Sequence, residues 1–230
     1  MKIKKTVEYK IKEFSDEELK LSQSVFGLVP QSVYFNFDID LEIDLDKHKL
    51  IYVYGLSGEG KTIFKDELKK QLVNSHYVVD YDNLPDLTSR KVSKLFDLKR
   101  DKDFLIRLFS TFGLLEMRNV FSYVRELSAG QQKRIKYMYL LYDAYRNAII
   151  DKSNCVVLID EYLTFVDSLS SKIFAQGLRK FMLASMPHTV LFAFGCNDHI
   201  CYTFEDLNIQ LVNGKIYKIV EVADVDRTSD

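Results

Sequence analysis

The sequence contains no tryptophan and only three cysteines, Cys155, Cys196 and Cys201. So sparse and odd a thiol count argues against a disulfide framework and suits free thiols in a reducing cytoplasm. No apolar run is long enough to cross a bilayer as a helix. The basic opening Met1-Lys2-Ile3-Lys4-Lys5 leads into no apolar stretch, so no secretory signal is expected. Neither charge dominates: 32 Lys and Arg stand against 33 Asp and Glu, a net charge of −1. That balance does not announce a nucleic-acid or membrane-surface partner, though it leaves room for a local basic patch. Internal repeats and low-complexity linkers are missing too.

What is present suits one globular domain over residues 1–230, since 47% of the chain is hydrophobic and 28% charged. Ser15-Asp16-Glu17-Glu18 has the form of a helix start. From Val33 to Asp44 apolar and polar residues alternate, which predicts a strand with one wet face, antiparallel to a neighbour. Leu50–Tyr54, Tyr77–Tyr81, Cys155–Ile159 and Thr189–Phe194 are short apolar runs of the kind found in buried parallel strands. Helical patterns separate them, at Lys61–Leu72, Asp82–Phe121 with a break at Gly113, Gly130–Ile150 and Ser168–Met186. Asn213-Gly214 between two apolar runs predicts a hairpin. Ala223–Asp230 lack apolar content and are expected to be loose. Strands alternating with helices predict an α/β fold with a mainly parallel sheet, antiparallel at both ends of the chain.

Chemistry concentrates first in Gly55-Leu56-Ser57-Gly58-Glu59-Gly60-Lys61-Thr62, which fits the P-loop pattern between a strand and a helix. Gly55, Gly58 and Gly60 let backbone N–H groups around Ser57 turn inward onto phosphate oxygens, and the helix start adds its positive end. Lys61 is expected at the β- and γ-phosphates of a nucleotide and the Thr62 hydroxyl on Mg²⁺. Downstream, Val156-Val157-Leu158-Ile159 ends in Asp160-Glu161. Asp160 at a strand tip suits the metal, through water, and Glu161 suits the polarisation of an attacking water.

Leu127-Ser128-Ala129-Gly130-Gln131-Gln132-Lys133-Arg134 decides among the many users of a P-loop. It resembles the Leu-Ser-Gly-Gly-Gln-x-x-Arg signature of the ATP-binding cassette (ABC) ATPases, which kinases, GTPases and most motors lack. The resemblance implies that Ser128, Gly130 and Gln131 cap ATP bound to a partner subunit. It also implies a role at that interface for Asp167, which keeps the family's spacing from Asp160. An aromatic ahead of the P-loop stacks on adenine in this family; Phe26 lies at a suitable distance, with Tyr34 and Phe35 as rivals. The resemblance runs from about Phe26 to Val220. Within it, a narrower likeness is to small stand-alone ABC ATPases of bacteria and phages.

Several family features are missing. Lys61 to Leu127 is short for the helical subdomain that docks a membrane subunit, so a reduced subdomain over about residues 82–129 is expected. Asp82 or Asn83 stands near the place of the Q-loop glutamine. Tyr137, Met138 and Tyr139 fill positions where the family prefers small residues. Gly195 or Cys196 stands where the switch histidine belongs, with His199 a few residues beyond. Cys196, His199 and Cys201 are too few and too crowded to favour a zinc site over free thiols.

The resemblance implies a cytoplasmic ABC-type P-loop NTPase that binds Mg-ATP, forms a head-to-tail homodimer on ATP, and hydrolyses it, slowly unless His199 folds back to stand in for the missing histidine. A soluble protein or nucleic-acid partner fits the short helical lobe and the missing glutamine. The alternatives are a transporter's ATPase subunit with a separately encoded membrane partner, and a regulatory switch that hardly hydrolyses. Chromosome-organising relatives are disfavoured because no heptad-rich coiled coil interrupts the chain.

Overall fold

The computed structural model describes residues 1–12, 14–27, 33–151, 154–164, 166–196, 198, 201 and 205–222. The strands are β1 (Lys2–Lys12), β2 (Val33–Glu42), β3 (Leu50–Tyr54), β4 (Tyr77–Asp80), β5 (Cys155–Ile159), β6 (Thr189–Gly195), β7 (Leu207–Val212) and β8 (Lys215–Glu221). The helices are α1 (Asp16–Phe26), α2 (Lys61–Leu72), α3 (Lys102–Thr111), α4 (Met117–Phe121), α5 (Ala129–Asp151) and α6 (Ser168–Ser185). The strands form a single sheet in the order β1-β2-β8-β7-β3-β6-β5-β4.

From β7 to β4 the order runs through four parallel pairings, β7–β3, β3–β6, β6–β5 and β5–β4. Every residue of β5 and β6 is buried, as expected of parallel strands covered on both faces. Their alternating side chains feed two cores. Leu50, Tyr52, Val157, Ile159 and Ala193 face α3, α5 and α6. Ile51, Val53, Leu158, Phe192 and Phe194 face Phe64, Leu68 and Leu72 of α2. The same second core takes Phe37, Ile39, Leu41 and Ile43, the inward half of the alternating run in and just after β2. That layout fixes both ends of the P-loop, since its strand is central and its helix is sealed by a core.

The other end of the sheet is antiparallel in β1–β2 and β7–β8, with β2 meeting β8 in parallel at Asp38 and Lys215. The β7–β8 turn uses Asn213 (φ 49°) and Gly214 (φ 74°), the two left-handed residues of a tight hairpin. Gly214 has a second reason: a Cβ there would meet the Asn36 carbonyl oxygen at 2.3 Å. Strand β1 carries Ile3, Val7, Tyr9 and Ile11 at alternating positions, a signal masked by the lysines between them. The capping box at Ser15 and Glu18 starts α1 as the sequence predicts.

One expectation needs correction. Asp82–Phe121 is not mostly helical. Between β4 and α3 there are only the 3₁₀ turns Tyr81–Asn83 and Val92–Lys94. The segment is held by isolated buried anchors, Leu87, Val92, Leu95 and Phe96, rather than by an apolar helix face. The helices α3 and α4 follow, and Gly113 (φ 62°) breaks the chain between them as expected. Residues 223–230, expected to be loose, lie outside the described residues.

Candidate nucleotide site

The P-loop leaves β3 beside the last residue of β6, held by Gly55 N–H donating to the Gly195 carbonyl at 3.3 Å. Gly58 and Gly60 have φ of 87° and 90°, where a side chain is strained. At Gly55 the reason is crowding, because a Cβ would stand 2.5 Å from the Leu211 carbonyl oxygen. The Glu59 carboxylate accepts from the Asn213 N–H and ties the loop to the β7–β8 turn. Lys61 Nζ donates to the carbonyls of Gly55 and Leu56, both at 2.7 Å, so its ammonium folds across the loop. No side chain caps α2, which leaves its first-turn amides available to an anion.

Above the loop lies a cavity of about 570 Å³. Ser57, Gly58, Gly60, Lys61 and Thr62 line one side, Asp160, Glu161 and Cys196 another, and Phe35 also contributes. The donor set fits a nucleotide with a hard cation: loop amides and an ammonium for phosphate, with a hydroxyl and a carboxylate for Mg²⁺. Among the described residues no three acidic, His or Cys side chains form a ready metal cage.

Asp160 follows the last residue of β5 and is held from two sides. Its Oδ1 accepts from Glu161 N–H at 2.9 Å, and its Oδ2 receives Lys65 Nζ at 3.2 Å. Lys65 is only 1% exposed. Burial pushes its ammonium down, but the carboxylates of Asp82, Asp160 and Asp80 outweigh that and hold it above its ordinary value. Glu161 has φ of 50°, uncommon for a non-glycine residue. Its carbonyl accepts from Tyr137 Oη at 3.3 Å and Thr164 Oγ1 at 3.1 Å, and the next amide donates to Phe194 O at 2.8 Å. This bend turns the Glu161 carboxylate outward; it is exposed, with Lys133 Nζ at 3.7 Å. Burial first, then the neighbouring Tyr81 hydroxyl, keeps the Tyr137 phenol far above its ordinary value, so it remains a donor.

The signature segment is elsewhere. Ser128 and Gln131 cap the start of α5 reciprocally: Gln131 N–H donates to Ser128 Oγ at 3.3 Å and Ser128 N–H to Gln131 Oε1 at 2.9 Å. Both line a separate polar recess of about 510 Å³ with Arg118 and Glu116. Gly130 lies in the same first turn of α5. Asp167 caps α6 by accepting from Ser170 N–H at 2.9 Å. Within one chain, therefore, Ser128, Gly130, Gln131 and Asp167 do not line the P-loop cavity.

Phe26 is 70% exposed at the end of α1 and is not among the cavity's lining residues, whereas Phe35 is. Of the candidates for the missing histidine, Cys196 is exposed at the cavity. Gly195 is packed on Tyr52, whose Oη would lie 2.4 Å from a Cβ there. His199 and the side chain of Tyr34 lie outside the described residues. Sequence reasoning missed Lys65 and the hydroxyl of Tyr137. Lys65 did leave a signal: a lysine one turn after Lys61, inside the apolar stripe Phe64, Leu68 and Leu72.

The sequence matches no protein-family model and no curated protein. Solved structures do match. The dimeric bacterial ABC transporter cassette MJ0796 superposes with a TM-score of 0.59 at 18% identity, over 97% of this chain and 99% of that one. Its post-hydrolysis state, bound to ADP and Pi, gives 0.58 at 15% identity over 96% and 97%. For cbiO1 from Clostridium perfringens, part of the ABC transporter complex cbiONQ, the TM-score is 0.57 at 15% identity over 82% of each chain. The chain has the fold of ABC nucleotide-binding domains.

Proposed function

We propose that this chain is an ABC-type ATPase that binds Mg-ATP in the P-loop cavity, closes head to tail on a second copy, and hydrolyses the nucleotide. The observation that carries this reading is the convergence of Lys61, Thr62, Asp160 and Glu161 on one cavity at the tips of β3 and β5. The P-loop amides and Lys61 bind and orient the phosphates. Thr62 and Asp160 hold Mg²⁺, which when bound neutralises phosphate charge. Glu161, exposed and turned outward by its left-handed backbone, takes a proton from the attacking water. Phe35, as a cavity-lining aromatic, is a better stacking partner for adenine than Phe26.

The separation of the signature recess from the P-loop cavity supports an arrangement in trans. Ser128, Gly130 and Gln131 of one copy cap the nucleotide of the other, with Asp167 at the same interface. A dimeric neighbour and a neighbour bound to ADP and Pi support closure and hydrolysis. Cys196 at the cavity edge offers no donor comparable with a histidine, which supports slow turnover. The reduced region over about residues 82–129 and the engagement of Asp82 by Lys65 favour a soluble protein or nucleic-acid partner in the cytoplasm. A second reading, an ATPase subunit serving a separate membrane protein, draws on the transporter neighbours. Among the described residues no helix is long and apolar enough to cross a membrane.

Lys61→Ala tests the core of the reading. It removes the ammonium from a site built for anions, and nucleotide affinity measured by calorimetry should fall at least about tenfold. Unchanged affinity and turnover would overturn the assignment of the cavity.

A further inference from the structure

Lys65 lies one turn beyond Lys61 on α2, on the face sealed by Phe64, Leu68 and Leu72. A buried ammonium persists only where carboxylates surround it. Here Asp82 is in direct contact, Asp160 Oδ2 lies at 3.2 Å and Asp80 Oδ1 at 4.0 Å. Asp80 is itself occupied by Lys69 at 2.7 Å. The ammonium is thus shared chiefly between Asp82, whose side chain is 53% exposed, and Asp160, at the edge of the cavity.

We infer that Lys65 is a resident cation of the metal-binding acid and sets the affinity of the nucleotide complex for Mg²⁺, with Asp82 drawing its charge away from Asp160. The inference rests on the proposed nucleotide site. With Oδ1 on an amide and Oδ2 on an ammonium, Asp160 meets an incoming divalent cation already half neutralised. Lys65 therefore opposes the metal by like charge, and does so strongly because the lysine is shielded from water. It also holds the carboxylate in one orientation. Asp82 acts in the opposite sense, since each share of the ammonium it takes leaves Asp160 more negative. Lys65 is accordingly a positioning residue that reaches the metal only through Asp160.

The two partners predict shifts of opposite sign. In a Glu161→Gln background, which suppresses turnover, a fluorescent ATP analogue is held at fixed concentration and Mg²⁺ is titrated, with calorimetry as a second readout. Lys65→Met should tighten Mg²⁺ binding by about tenfold or more. Asp82→Asn should weaken it by about threefold, and Lys65→Arg should stay near the parent. If Lys65→Met fails to fold, Asp82→Asn decides alone, because its side chain is half exposed. Unchanged Mg²⁺ affinity, or the reverse sign, in either folded variant overturns the inference while leaving the nucleotide site intact. A parent protein that binds no nucleotide overturns the functional reading and this inference together.

Discussion

Replacing Glu161 by glutamine separates chemistry from folding with little ambiguity. The amide keeps the shape and the left-handed backbone, whose carbonyl is held by Tyr137 and Thr164 rather than by the side chain. What the fold loses is the pair with Lys133, 3.7 Å long with a glutamate side chain 74% exposed. Such a pair is worth about 0–1 kcal/mol. On the role proposed for Glu161, catalysis should lose a general base, typically ~10²–10⁴ in rate, or about 3–5 kcal/mol of barrier. The kinetic effect exceeds the structural one several-fold, so the variant should melt like the wild type while turnover collapses. With ATP no longer consumed, the closed dimer should persist. Light scattering coupled to size exclusion, with and without Mg-ATP, reads the dimer, and phosphate release reads the rate. Turnover within threefold of wild type would refute the assignment of Glu161. A strict monomer at high protein and ATP concentration would refute head-to-tail closure.

Cys196→His places a donor at the cavity edge and should accelerate phosphate release by about 10²–10³ if the absent histidine limits the rate; no acceleration in a variant that still binds ATP counts against that cause. Gly195→His should instead lower the melting temperature, because the Tyr52 ring leaves no room for a Cβ. Ser128→Arg should block nucleotide-dependent dimerisation while leaving ATP affinity within about twofold, and a variant that still dimerises would remove the signature from the interface. Asp206 accepts from Arg179 and from the amides of Lys49 and Leu50. Burial raises its carboxyl, but the Arg179 guanidinium and those amides outweigh it and hold it below the usual carboxylate range. A depressed folded-state value means stability present above about pH 4 and lost as pH falls through the lowered value. Asp206→Asn should therefore cost roughly 1–3 kcal/mol at neutral pH, allowing for partial exposure, and flatten the acid limb of a denaturation series.

The sequence by itself determined the local geometry of the candidate site. Glycine spacing, an apolar run before it and Lys61-Thr62 after it suffice to specify a P-loop, because left-handed glycines and an open helix start are local properties. Asp160 and Glu161 were equally legible, since a buried parallel strand must end where two charges begin. The Asn213-Gly214 hairpin and the Ser15 capping box followed from the same kind of short-range rule. Strand β1 was not read, because its alternation is hidden among lysines until Phe37 and Ile39 of its partner supply a buried face. The loop-like stretch after β4 was mistaken for helix, because isolated anchors such as Leu87 and Phe96 mimic a periodic stripe when their depth is unknown. Only the tertiary structure could seat Phe35 rather than Phe26 at the cavity, since both are aromatics ahead of the P-loop and only the path of β2 brings one of them there. Only it could show Lys65 buried against Asp160. Those two residues are far apart in the chain and meet because α2 packs on the face of the sheet that β5 shares, with Asp160 at the tip of that strand, and no short-range pattern encodes that meeting.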